Sequence, residues 1–238
     1  MRRFFAFTLA ETLIVMGIIG IVSALTLPNL NASTGDKEKV VRVKKLYQNM
    51  TDALGRAVAV YGPVEEWFKN DTSNATQATR FGERLTEFMK VSKNCGLTTT
   101  GCIKSTNPTF VSSTASHSLN SNDNYKFITA DGASVVLGMN IGGDPRIFID
   151  IDGPNKGQNK IGKDVFGFYL KKDKSSIELL TSNLSAYSIL TTGTGIEPTT
   201  WVINYDNMDY LKVNSSNKCN NSDITLNPSA NPPVISCK

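Results

Sequence analysis

MRRFFAFTLAETLIVMGIIGIVSALTLPNL, residues Met1–Leu30, is the stretch on which the reading of this chain turns. Arg2 and Arg3 form a short basic leader, and an apolar run follows from Phe7 to Leu27. As a helix that run would rise about 31 Å at 1.5 Å per residue, enough to cross a bilayer core. An ordinary secretory signal has an apolar core of about 7–15 residues before a small-residue cleavage site. Here the run is longer, and Val22-Ser23-Ala24 is a weak cleavage match. A plain anchor fits the length but gives no reason for Glu11. A charge inside a span costs about 2.5–3.5 kcal/mol on insertion scales, so such a residue is expected to have a task.

The residues Ala6-Phe7-Thr8-Leu9-Ala10-Glu11, ahead of an apolar helix, resemble the N-terminus of type IV pilins and type II secretion pseudopilins. Phe7, Thr8, Leu9 and Glu11 sit where that motif has them, and Pro28 falls where many pilins have a helix-bending proline. Ala6 stands where the family more often has Gly, and Ala10 where a larger aliphatic is common. Gly17 and Gly20 are small residues that let helices approach closely. The motif covers about thirty of the 238 residues.

The resemblance implies a prepilin cut between Ala6 and Phe7 by a prepilin peptidase, with N-methylation of the new Phe7 terminus. It implies that Glu11 directs filament assembly by pairing with the Phe7 ammonium of a neighbouring subunit. Two charges in an apolar bundle are each costly alone and tolerable together. The partners implied are other pilin or pseudopilin subunits, the peptidase, membrane lipid, and an inner-membrane assembly platform with a separate ATPase. The location implied is the bacterial cytoplasmic (inner) membrane, single-pass, with the N-terminus cytoplasmic and the head outside, then a periplasmic or cell-surface filament. Charge counting alone opposes this orientation, because Lys37, Lys39, Arg42, Lys44 and Lys45 follow the span.

Cys95, Cys102, Cys219 and Cys237 allow three pairings. Local pairing, Cys95–Cys102 and Cys219–Cys237, is the simplest, and a C-terminal disulfide loop resembles that of many pilins. Disulfides imply an oxidising compartment. With one histidine and no Cys-x-x-Cys, the spacings do not suit zinc. Net charge is +4 and falls to +2 if Arg2 and Arg3 leave, too weak a balance to point to nucleic acid.

Asp36–Tyr61 reads as an amphipathic helix. Val40, Val43, Tyr47, Met50, Leu54, Ala57 and Tyr61 recur by three and four, and Gly62-Pro63 ends it. Lys37 to Lys45 read as a solvated face near lipid headgroups. A second helix is expected over Gln77–Lys93. Residues 96–124, rich in Thr, Ser and Asn, read as a loop with little order of its own. Tyr125–Ala130 and Ala133–Met139 flank Asp131-Gly132, a hairpin signal. Arg146–Ile151 and Val165–Leu170 are further strands, and Trp201–Tyr205 reads as another.

The fold class expected is α+β and pilin-like: a long N-terminal helix, membrane-spanning in its first half, packed on an antiparallel β-sheet head. The segments are a leader (1–6), a transmembrane half-helix (7–30), an amphipathic half-helix (31–62) and a globular head with an irregular C-terminus (63–238). Between two strands, Asp150, Asp152, Asn155, Asn159 and Asp164 cluster with glycines. Such a loop could offer several of the six to eight oxygens that calcium takes. It equally suits a turn in which Asp and Asn cap their own backbone. No cofactor is otherwise required.

The chain has no Walker A, Gly-x-Ser-x-Gly or His-Glu-x-x-His motif, and His117 stands alone. The reading is therefore a structural filament subunit and not an enzyme. The alternatives are a membrane-anchored or filament-tip adhesin, with or without calcium, and a competence pilin that handles DNA.

Overall fold

The computed structural model describes residues 9–139, 143–180, 188–215, 224–227 and 234–237, without side chains at 24–34, at 192 and beyond 212. The chain divides into two compact units, one up to Glu38 and one from Lys39 onward. Helix α1, Leu9–Tyr61, belongs to both.

In the first unit the large apolar side chains of α1 from Leu9 to Val22 are exposed: Leu9 is 80% accessible, Met16 72% and Ile21 65%. The expected fold class is corrected here. No helix among the described residues is long and apolar enough to cross a membrane. The apolar stretch described with its side chains, Leu9–Ser23, rises only about 22 Å against a hydrocarbon core of about 30 Å. The sheet also differs from expectation, being mixed and not antiparallel.

In the second unit the α1 residues Val40, Val43, Leu46, Met50, Leu54 and Ala57 are buried, and Tyr47 stacks on Phe168 at 5.7 Å. Tyr61, last of the apolar stripe, is 37% exposed. Gly62 ends the helix in the left-handed region (φ +77°), its N–H bonded to the Val58 carbonyl at 2.9 Å. The basic row is not a free solvated face. Lys39 reaches Asp152 (3.5 Å) and the Lys163 carbonyl (3.2 Å), and Arg42 reaches the Ile151 carbonyl (3.2 Å). Lys44 pairs with Asp206, and Lys45 with Asp131 at 3.2 Å.

Two helices follow, α2 (Val64–Trp67) and α3 (Asn74–Thr86). Helix α3 starts earlier than the sequence suggests, because the Ser73 hydroxyl accepts the Thr76 N–H at 3.1 Å. It also ends earlier, and Val91–Gly96 is strand β1. The other sheet strands are β2 (Thr109–Phe110), β3 (Tyr125–Thr129), β4 (Ser134–Gly138), β5 (Arg146–Asp150), β6 (Lys160–Ile161), β7 (Val165–Lys171) and β8 (Ser176–Glu178). Their order is β1-β3-β4-β5-β7-β6-β2, with β8 also on β7. The strands β1, β3, β4, β5, β7 and β8 pair antiparallel, while β2–β6 and β6–β7 pair parallel.

Alternation along the strands gives the sheet two buried faces. On one face Phe127, Val135, Leu137, Ile149, Phe166 and Phe168 meet α1 and α3 in the main core. On the other, Val136, Phe148 and Val165 join Phe110, Leu119 and Ile161 in a second, smaller core. Phe110 and Leu119 belong to the stretch 96–124, so the expectation of little order there is corrected. That stretch covers the second face.

The C-terminal part also differs from expectation. Trp201–Tyr205 lies in helix α4, Ile196–Tyr205, and not in a strand. Glu197 accepts the Thr194 N–H (2.9 Å) and Pro198 sits in the first turn, where its missing N–H costs nothing. Helix α5 (Tyr210–Ser215) and an antiparallel pair, β9 (Ile224–Asn227) with β10 (Val234–Cys237), complete the described chain.

Candidate functional site

Glu11 sits in the first turn of α1, where a carboxylate is favoured by the helix dipole. It is exposed, and exposed apolar neighbours surround it along the helix, among them Leu9, Leu13, Ile14 and Val15. Ala6 and Phe7 lie outside the described residues. Pro28 falls within α1, but its side chain is not described.

The acidic loop between β5 and β7 is built around Asp164, which is fully buried. One of its carboxylate oxygens accepts the N–H groups of Gln158 and Asn159 (2.7 Å), and the other accepts the Lys160 N–H at 3.1 Å. Gly157, at φ +71°, leaves no room for a Cβ beside the Asp164 and Asp152 carboxylates. Asn159 donates its amide to the Thr106 carbonyl at 2.8 Å. Lys104 donates to the Gly157 carbonyl at 2.7 Å, and Lys39 faces Asp152. Asp150 accepts the Asp152 N–H at 3.1 Å. Burial, then the Asp164 charge, pushes its carboxyl up to about 7.

These contacts are those of a turn in which Asp and Asn cap the backbone. Both Asp164 oxygens are engaged by backbone, Asp152 has an ammonium partner, and the Asn159 amide points its donor at a carbonyl. Among the described residues no group of three or more His, Cys, Asp or Glu side chains is placed to hold a metal ion. The arrangement is a capped, lysine-neutralised turn. One polar group there is left over: Ser134, the cross-strand neighbour of Asp150, has a buried hydroxyl with no protein partner.

Of the cysteines, Cys95 and Cys102 are disulfide-bonded, with Cα atoms 6.3 Å apart. Cys237 ends β10, and Cys219 lies outside the described residues, so that second pairing does too.

One buried cationic group, Lys126, escapes the sequence reading, and the lone His117 is also partly buried. Lys126 is fully buried and donates to three backbone carbonyls, those of Leu97, Ser121 and Asn124. Burial pushes its ammonium down to about 8. His117 lies between the rings of Phe110 (5.7 Å) and Phe148 (5.2 Å), and its Nε2 has no partner. Burial, with Arg146 adding to it, lowers its pKa; the Gly193 carbonyl and Glu197 oppose the shift. No nucleophile among the described residues is paired with it. A groove of about 630 Å³ beside the β7–β8 turn is lined by acids and lysines in balance, with Lys171 paired to Asp144 at 2.6 Å.

Comparison with protein-family models, with curated proteins and with solved structures finds no match for this chain.

Proposed function

We propose that this chain is a structural filament subunit, a prepilin or pseudopilin of a type IV pilus or type II secretion system. Its leader is cut between Ala6 and Phe7, the new terminus is N-methylated, and the processed chain enters a helical bundle of like subunits. The observation that supports this most is the character of the first turns of α1. From Leu9 to Val22 every large apolar side chain is at least 53% exposed. Burial of apolar area is worth about 25 cal/mol per Å², so such a surface is strongly driven to find cover. Neighbouring copies supply it, and Glu11 sets the register by pairing with a neighbour's amino terminus. The disulfide agrees with a head outside the cytoplasm. Assembly would need an inner-membrane platform and a separate ATPase, because nothing in this chain resembles a nucleotide site.

The test is the intact mass and N-terminal sequence of the chain from membranes, with and without a prepilin peptidase, together with its recovery in sheared filaments. A start at Phe7 with one added methyl, and presence in filaments, is the expected result. A start at Met1 and absence from filaments would sink the proposal and leave an anchored adhesin. A cut near Ala24 would make the chain a conventional exported protein.

A further inference from the structure

Besides its apolar contacts and the β2–β6 pairing, the cover over the second sheet face is bonded at its end to one buried lysine. Lys126 lies on β3 opposite Gly96 of β1, and points to the same side of the sheet as Val136, its partner on β4. Gly96 itself takes the left-handed conformation, φ +57°, that favours glycine. The ammonium has three protons, and each meets a backbone carbonyl: Ser121 at 2.6 Å, Asn124 at 2.8 Å and Leu97 at 3.1 Å. No carboxylate among the described residues is in ion-pair contact with it, and Asp123 acts on it only at a distance. A buried charge without a counter-charge is tolerable only while its hydrogen bonds are complete.

The three carbonyls come from two segments. Ser121 and Asn124 belong to the end of the cover. Leu97 belongs to the loop closed by Cys95–Cys102. A second lysine, Lys93, reaches the Thr100 carbonyl of the same loop at 3.3 Å. Asn124 carries the contact further, since its amide donates to the carbonyls of Ser118 (3.0 Å) and Leu119 (3.2 Å). Leu119 in turn is part of the second core.

We infer that the Cys95–Cys102 bond and Lys126 form a thiol-sensitive latch that closes the 96–124 cover over the second sheet face. With the disulfide formed, the loop presents the Leu97 carbonyl to the ammonium. Reduction by a dithiol transfers two electrons and two protons to the sulfurs, giving two cysteine thiols and a cyclic disulfide of the reductant. The half-buried Cys95 sulfur is the point of attack, because Cys102 is fully buried. The freed loop lets Leu97 leave, the ammonium loses one acceptor, and Ser121 and Asn124 lose the centre that orders them. The cover would thus close only where thiols oxidise, outside the reducing compartment in which the chain is made. This inference does not need the filament reading, and either can fail alone.

The experiment uses the full chain in detergent, oxidised and after dithiothreitol. Two signals are read: amide hydrogen exchange by segment, and acetylation of Lys126 by a small amine-reactive ester. Reduction is expected to raise Lys126 acetylation at least about tenfold and to speed exchange across 103–124 as well as within 95–102. In Lys126→Met, exchange over 103–124 is expected to be fast already and indifferent to dithiothreitol. Loss of protection confined to 95–102, with Lys126 acetylation unchanged, would overturn the latch. That result needs no variant, so a failure of Lys126→Met to fold would not protect the inference.

Discussion

The packing of α3 on β3 makes a sharp test of the fold in Gly82→Ala. Gly82 is buried in the middle of α3, where alanine is ordinarily the better helix former by about 0.8–1.0 kcal/mol. Here a Cβ would stand closer than 3.0 Å to Cδ1, Cγ and Cε1 of the Tyr125 ring. That ring cannot simply swing aside. Tyr125 is 4% exposed, and its hydroxyl accepts the Asn94 amide at 2.6 Å. Overpacking of this kind costs about 1–3 kcal/mol. Pulling the hydroxyl from Asn94 removes about 1 kcal/mol more. Against the propensity gain, the net is a loss of about 1–3 kcal/mol, read as a lower urea midpoint at unchanged slope. Tyr125→Ala is itself costly, yet in its background Gly82→Ala should become stabilising by up to about 1 kcal/mol, since only the propensity is left. The coupling between the two sites is therefore on the order of 2–4 kcal/mol. If Gly82→Ala were neutral or stabilising with Tyr125 in place, α3 would not lie on β3 in this way, and the main core as described would be wrong.

Three further outcomes are expected. His117 is the sole histidine and its pKa is lowered by burial, so the unfolded chain binds more protons just below its ordinary value near 6.5. The histidine's own contribution to stability should fall as pH drops through that value, against the opposite contribution of Asp150, whose carboxyl, raised to about 7, takes up a proton in the folded state. The urea midpoint of His117→Phe relative to the parent chain should therefore rise as pH falls from 7.5 to 5, and an unchanged difference would remove the histidine from the explanation. Glu11→Ala should leave the circular dichroism and melting of the head unaltered while lowering recovery in sheared filaments on the order of a hundredfold, as for one charge of a buried pair left alone at about 3 kcal/mol. Melting of the chain should be the same in calcium and in chelator, because Asp164 is taken by backbone and Asp152 by Lys39. A higher midpoint in calcium would instead assign a cation to Asp150 and the orphan Ser134 hydroxyl.

Where a pattern is local and repeats, the amino-acid order alone makes it legible. The strands around Asp131-Gly132 are an example: the turn chemistry and the alternation of Phe127, Val135 and Leu137 lie within a few residues of each other, and Gly132 adopts the positive φ (+88°) that the turn needs. The α1 residues Val40, Val43, Met50 and Leu54 are buried at the positions a helical period marks. Trp201–Tyr205 goes the other way. Its Trp-Val-Ile run has strand propensity, but the helix-start signals lie upstream at Gly195, Glu197 and Pro198, and a reading that begins at Trp201 misses them. The parallel pairs escape for a different reason: β2 and β6 are two residues each, too short to show any period.

The acidic loop and the 96–124 cover are hard to read for one shared cause. Both are ordered by polar groups, some a few residues away and some far along the chain, and a polar composition says nothing about which of them will meet. Asp164 looks like a cation ligand until the N–H groups of residues 158–160 turn onto it, and Asp152 until Lys39 arrives from α1. The run of Thr, Ser and Asn looks featureless until Lys126, Asn159 and Lys160 reach its carbonyls and hydroxyls. The basic row on α1 belongs with them: counted by charge it suggests lipid, yet Lys39, Arg42, Lys44 and Lys45 reach carbonyls and carboxylates of loops over a hundred residues away or, for Lys45, at the Asp131 turn. Apolar periodicity reports what an element buries, and it reports locally. A lysine that organises carbonyls reports nothing until the topology has brought them together, so in this chain the polar residues carry the part of the fold that only the three-dimensional arrangement can reveal.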